Sequence, residues 1–295
     1  MSRLSLLTAA LWAGAAGGPA GTVDVGEYFP LLPNSRWSYT GEGQPGSSAE
    51  DDFSWIVLDD LRDIGGTFVT QILTSSEEPT DARNLDRDFW SYSGAGELRY
   101  HGFRNGQADG SGLTTFPVQD VILDTPFVVG TATTTIPSTI SSTATASDVS
   151  FGLFSGLTAT LSLEAEFVEI TPVVVTPAGD FRDCLHVILR FTVTEVTNGT
   201  LTFPVGVGVL QAELFLAPGV GMVLQDQDAD PGDAQIQALE GGQVLGFPIV
   251  ADVPSVQQIV NRLLGLLPDD PRYNVNADDR TDAADVVDRV GPLAP

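Results

Sequence analysis

The residues best placed to do chemistry lie near the C-terminus. In the twelve residues from Asn274 to Asp285, oxygen-bearing side chains take the first, third, fifth, ninth and twelfth places: Asn274, Asn276, Asp278, Asp282 and Asp285. The seventh place, Arg280, offers its backbone carbonyl. This spacing wraps a calcium ion, which accepts six to eight oxygens in flexible geometry, whereas magnesium demands a tighter octahedron. Asp282 to Asp285 also open a final helix, where carboxylates meet the positive end of the dipole. A second acidic run holds Asp226, Asp228, Asp230 and Asp233. It reads either as another calcium turn or as a solvated turn at a strand end. Pro231 in the flexible place and Gln237 in the twelfth weigh against calcium.

Elsewhere the means of chemistry are scarce. The 295 residues carry 13 basic and 39 acidic side chains, a formal net charge of −26, and every cation is arginine. Without lysine there is no Schiff base and no P-loop, and a chain this acidic repels a phosphate backbone. His101, His186 and Cys184 are its full complement of histidine and cysteine, which leaves little room for zinc, Cys/His catalysis or disulfides. His186 sits between Leu185 and Val187 without an evident base partner, and Cys184 reads as a small buried hydrophobe. Arg99 to Arg104, with Tyr100, His101 and Phe103, is open between a sugar- or anion-contacting patch and an ordinary strand end. Asp51-Asp52, Asp59-Asp60 and Glu77-Glu78 point to opposite faces of a strand, so they build no glycosidase dyad by themselves. The Gly-x-Ser-x-Gly and His-Glu-x-x-His motifs are missing.

The elements that must position these groups fall into three regions. Residues 1–20 have the layout of a secretory signal: Arg3, an apolar stretch from Leu4 to Trp12, then small residues. Residues 22–245 have the grammar of antiparallel strands and turns. Strands are expected at Arg36 to Thr40, Phe53 to Leu58, Thr67 to Leu73, Phe89 to Tyr92, Glu97 to His101, Leu157 to Ile170, Phe181 to Val196, Val207 to Leu216 and Met222 to Gln227. Asn198-Gly199 marks a hairpin. The Thr/Ser-rich stretch from Thr131 to Ser147 is open between an exposed loop or lid and edge strands. In residues 246–295 the pattern turns helical: Val256, Ile259, Val260, Leu263, Leu264 and Leu267 draw one apolar stripe on a helix that starts at Pro254 or Ser255. Beyond the signal, no stretch reaches the roughly 18 apolar residues of a membrane helix, so no membrane span is expected.

Two resemblances extend this reading. The Asp282-Ala283-Ala284-Asp285-Val286-Val287 stretch and its loop resemble a type I dockerin repeat and, more broadly, an EF-hand. The resemblance implies calcium as the bound ion and a cohesin-like protein as the docking partner. One loop of the two in a complete dockerin is intact here. Tyr28-Phe29-Pro30-Leu31, Trp37-Ser38-Tyr39, Pro177-Ala178-Gly179-Asp180-Phe181, Cys184-Leu185-His186-Val187 and Ala217-Pro218-Gly219-Val220-Gly221-Met222-Val223 resemble a layout in uncharacterised secreted bacterial β proteins. That layout is similar to half-barrels of the periplasmic lipoprotein-carrier kind, whose curved sheet wraps an apolar cavity.

The expectation is a secreted or periplasmic, mainly β protein: an antiparallel curved sheet or half-barrel with a small C-terminal helical calcium module. Its expected function is non-enzymatic binding or docking through that module. The alternatives are a carrier of an apolar ligand in the half-barrel cavity and a glycan-active enzyme targeted by its tail.

Overall fold

The architecture comes from a computed structural model that describes residues 21–42, 53–75, 86–105, 118–151, 154–199, 201–204, 210–228, 234–251, 256–264 and 281–284. In chain order the elements are β1 (Gly21–Val23), α1 (Val25–Tyr28), β2 (Arg36–Glu42), β3 (Phe53–Val57), β4 (Arg62–Ile64), β5 (Thr67–Ser75), β6 (Asp86–Tyr92), β7 (Leu98–Asn105) and β8 (Gln119–Gly130). There follow β9 (Thr134–Ile136), β10 (Ser138–Phe151), β11 (Phe154–Thr176), β12 (Gly179–Asn198), β13 (Leu201–Pro204), β14 (Leu210–Ala217), β15 (Gly221–Asp228), β16 (Ala234–Val244), β17 (Phe247–Pro248) and α2 (Val256–Leu263).

Alternation explains the strands. In β11, Leu157, Ala159, Leu161, Leu163, Ala165 and Phe167 are buried, while the residues between them, such as Glu164 and Glu166, are half-buried or exposed. One face of the ladder therefore turns to a core and the other to solvent.

The sheet closes on itself. Its order is β11-β10-β8-β7-β6-β5-β3-β2-β16-β15-β14-β12, and β12 pairs back onto β11 from Thr158 opposite Thr197 to Thr176 opposite Gly179. The result is a closed antiparallel barrel of twelve strands, not the open curved sheet or half-barrel expected from the sequence. The reason is the length of β11 and β12, 23 and 20 residues, which pair as a hairpin and also border opposite ends of the remaining sheet. Closure satisfies the backbone groups that an edge strand would leave open.

Other corrections concern single elements. The stretch from Thr131 to Ser147 is strand and not lid: after a short turn it enters β9, an edge strand paired with β1, and then β10, which lies inside the barrel wall. Its Thr and Ser alternate with Ala144 and Ala146, small residues buried on the inner face. β8 and β16 escaped notice because Asp124-Thr125-Pro126 and Gly241-Gly242 look like turn signals, yet they lie within strands or at register shifts. The Asn198-Gly199 turn is present, with Asn198 opposite Leu201. The helix α2 begins at Val256, near its expected start, with Ile259 fully buried and Leu263 and Leu264 exposed.

One end of the barrel is sealed. Asp24 caps α1 by accepting from Gly26 N at 2.9 Å, and the segment that follows is tied to three strand turns. Val25 N donates to Thr131 O, Gly219 N to Glu27 O, and Tyr92 Oη to Phe29 O. Beside it, Trp37 Nε1 donates to Val220 O at 2.6 Å and Tyr39 Oη to Met222 O at 3.0 Å, both buried.

The wall varies in its bonding. Between β8 and β10 the ladder is reduced to Ala146 opposite Leu123. Side chains take over there: Gln119 Nε2 donates to Ser150 O and Gln119 Oε1 accepts from Ser150 N, both at 2.8 Å, and Thr145 donates to Asp124 at 2.6 Å.

Between β7 and β8 the strands approach closely at Gly102, whose φ is +120° and whose missing Cβ would fall 2.1 Å from Val121 O. Gly102→Ala therefore combines a backbone clash with a strained φ, and a loss of roughly 3 kcal/mol or more is expected. Urea unfolding checks this: the midpoint should fall well below that of the wild type.

Candidate functional site

Directly paired residues on neighbouring strands share a face. The row Ile72, Asp88, Phe103, Val121 therefore points one way, as does the row Thr70, Trp90, Tyr100, Phe127. Ile72, Val121 and Phe127 belong to the core cluster that runs round the whole barrel, so both rows face the lumen.

Aromatic rings line that lumen. Tyr39 packs on Trp55 at 5.9 Å between centroids, Trp55 on Phe29 at 6.4 Å, Phe29 on Trp90 at 4.8 Å and Trp90 on Tyr100 at 4.8 Å. Across the barrel, Phe127 meets Phe191 at 6.3 Å. Trp55, Trp90, Tyr100, Phe103, Leu189 and Phe191 point inward and yet stay only half-buried. In a closed wall such exposure is to the lumen. Eight strands suffice for side chains to fill a barrel, and twelve enclose a wider interior. Against the sealed end, the pocket lined by Phe29, Pro30, Trp37, Trp55 and Met222 has about 10 Å³ of free space, room for one water.

One ionisable pair stands among these rings. Tyr100 Oη donates to Asp88 Oδ1 at 2.9 Å. Burial pushes the Asp88 carboxyl up to about 6; the Tyr100 hydrogen bond opposes this and the charge of Asp86 adds to it. Burial, and the neighbouring Asp88, also push the Tyr100 phenol well up. The sequence reading missed Asp88. In Arg87-Asp88-Phe89-Trp90 both faces hold an aromatic ring, so alternation alone does not say which is inside. Phe89 is outside, where the Arg62 guanidinium lies 4.6 Å above its ring.

The outer face carries the charge. Arg190 donates to Glu164 at 2.7 Å and Glu166 at 2.8 Å, and Asp120 takes Arg62 at 2.8 Å and Arg104 at 3.5 Å. Alternation thus splits the Arg99 to Arg104 patch. Tyr100 and Phe103 face the lumen while Arg99 and Arg104 bind Glu97 and Asp120 outside, so ring stacking and guanidinium donors do not meet one ligand. Asp60 accepts from the buried Gln71.

His101 is buried, 2.8 Å from Ser91 Oγ, and burial, with Arg99 nearby, lowers its pKa. No carboxylate bonds to it among the described residues, so the orienting third group of a nucleophilic triad is missing there. His186 stacks on Phe215 at 4.5 Å and lies 3.6 Å from Glu213, a partner brought by cross-strand register. Burial lowers its pKa against the pull of Glu213, Glu169 and Glu166. Burial pushes the Cys184 thiol up to about 12, which makes it inert.

Of the expected calcium ligands, Asn274, Asn276, Asp278, Arg280 and Asp285 lie outside the described residues. Asp282 is exposed and accepts from Ala284 N at 2.7 Å, the bond of a helix cap. In the second acidic run, Asp230 and Asp233 lie outside the described residues. Asp226 and Asp228 belong to β15, opposite Ile236 and Ala234, so the first half of that run is ladder instead of turn. No group of three His, Cys, Asp or Glu side chains able to hold a metal occurs among the described residues.

No protein-family model matches the chain, and no curated protein is significantly similar to it. Two solved structures are similar over most of its length. A candidate lipoprotein of Parabacteroides distasonis is 13% identical, with 73% of this chain and 98% of that chain covered and a TM-score of 0.33. A candidate exported protein with a YmcC-like fold from Bacteroides fragilis is 13% identical, with 74% and 99% covered and a TM-score of 0.35.

The Asp88 carboxyl generates a pH prediction. Its ordinary value is 3.8, so between about 4 and 6 the folded chain holds a proton that the unfolded chain has released. Stability therefore falls as pH rises through that window. Asp88→Asn should remove this slope and raise stability above pH 6 by about 2 kcal/mol. Thermal melts of both proteins from pH 4 to 8 check it; parallel curves would show that Asp88 does not titrate in the folded barrel.

Proposed function

We propose that this chain is an exported, non-enzymatic binding protein that carries an apolar ligand inside its barrel. The observation that carries the reading is the half-buried state of Trp55, Trp90, Tyr100, Phe103 and Phe191 on the inner face of a closed wall. Concave, mostly apolar surfaces with few polar groups are the usual form of a small-molecule site. The distribution is the reverse of an outer-membrane barrel, which is apolar outside and polar within, because Glu164, Glu166, Arg190 and Glu213 occupy the outside of this wall. Among the described residues no helix is long and apolar enough to cross a membrane. The signal-like layout of residues 1–20 supports export.

Two lumen tryptophans provide the assay. Mass spectrometry of the protein as purified should find a co-purifying apolar molecule. After its removal, a brominated long-chain alcohol should quench Trp55 and Trp90 fluorescence saturably. A protein that arrives empty and shows no saturable quenching refutes the carrier reading.

A second reading concerns the tail, and the Asp282 cap at Ala284 supports it. Residues 274–285 bind calcium weakly, with a dissociation constant of roughly 10⁻⁴ to 10⁻³ M as in extracellular modules, and present the tail to a docking partner of cohesin type. Calorimetry on the full chain should register calcium binding that Asp278→Ala abolishes. Absence of heat up to tens of millimolar calcium would remove this site.

A further inference from the structure

We infer that the lumen selects ligands with a positively charged ammonium group on an apolar body, the ammonium held by Asp88 against the rings of Trp90 and Tyr100. The inference rests on the carrier reading and names the ligand class. Three observations bring it forward.

The first is an imbalance of charge. On β6, Asp86 and Asp88 occupy inward positions, Asp86 at the strand end and Asp88 deeper. Arg36, Arg87, Arg99, Arg104, Arg182 and Arg190 all lie next to inward residues, namely Trp37, Asp88, Tyr100, Phe103, Phe181 and Leu189, and so take outward positions. On the described part of β6 the inner face thus receives two carboxylates, and none of these six guanidiniums joins them.

The second is the lack of a cation facing Asp88 among the described residues. Its one hydrogen bond among the described residues comes from Tyr100, and the residues opposite it on β5 and β7 are Ile72 and Phe103, which carry no charge. A carboxylate deep in an apolar interior is costly unless a cation joins it. The described residues supply none there, and the inference is that the partner comes with the ligand.

The third is the chemistry around the carboxylate. Calcium or magnesium requires about six oxygens, and next to Asp88 the wall offers the Tyr100 hydroxyl and aromatic rings. Trp90 and Tyr100, 4.8 Å apart and inclined at 56°, are both half-buried. Such rings attract an organic cation through their faces, most strongly when it is desolvated. A fatty acid or a phosphate headgroup meets the two carboxylates and is repelled.

The test uses the delipidated full chain at pH 8 and three probes of one chain length: dodecyltrimethylammonium, dodecanol and dodecanoate, each below its micelle threshold. Calorimetry should rank the ammonium about tenfold or more above the alcohol, as expected for a desolvated cation–aromatic contact, and dodecanoate last. Asp88→Asn should bring the ammonium down to the level of dodecanol and leave dodecanol unchanged. In the wild type alone, dodecanol equal to or tighter than the ammonium overturns the inference while the carrier reading stands, so the result does not depend on the variant folding. An ammonium preference that persists in Asp88→Asn overturns the assignment to Asp88. Binding of none of the three removes the carrier reading and this inference with it.

Discussion

Pairing of β11 with β12 gives this protein an inside. Until those strands meet, each face of the sheet is accessible; once Thr158 to Thr176 lie along Gly179 to Thr197, every side chain on the wall is committed to the lumen or to the outer side by its parity. A slip of one residue in that ladder would turn Leu163, Ala165 and Phe167 outward and bring Glu164 and Glu166 in. The penalty for burying those carboxylates makes the register unambiguous. The separation of rings from guanidiniums, on which the site depends, follows from the same parity.

The net charge of −26 takes on a different meaning in this frame. Much of the charge on the described wall is spent outside, in Arg190 with Glu164 and Glu166 and in Asp120 with Arg62 and Arg104. Exposed pairs of this kind add little stability, and their service is solubility. Asp88 is different: one carboxylate in an apolar lumen has more effect on ligand choice than many in water, because little solvent screens it.

Much of the wall was legible in the sequence because its strands alternate cleanly. The run from Leu161 to Phe167 announces both a strand and its buried face, and the Asn198-Gly199 turn was visible from its residue types. Closure was not legible, since it depends on which distant strands meet and on the lengths of β11 and β12. Nor was the lumen pair. Asp88 and Tyr100 are 12 residues apart and face each other through register between β6 and β7, with an extra residue, His101, inserted on one side. Asp88 also has the local signature of a surface acid beside Arg87. The Arg99 to Arg104 patch misled for a related reason, because proximity in sequence suggested one surface where a strand makes two.

The joint between β8 and β10 is bonded differently from the rest of the wall. Seventeen paired positions hold β11 to β12, whereas one bridge and a few side-chain bonds hold β8 to β10. Asp124, Thr145 and Ser147 are at the surface, where water competes for every bond they make. This seam is therefore set by its side chains more than by its backbone: a substitution at Gln119, Asp124 or Thr145 alters it, whereas the long hairpin keeps its ladder with any side chains of the same parity.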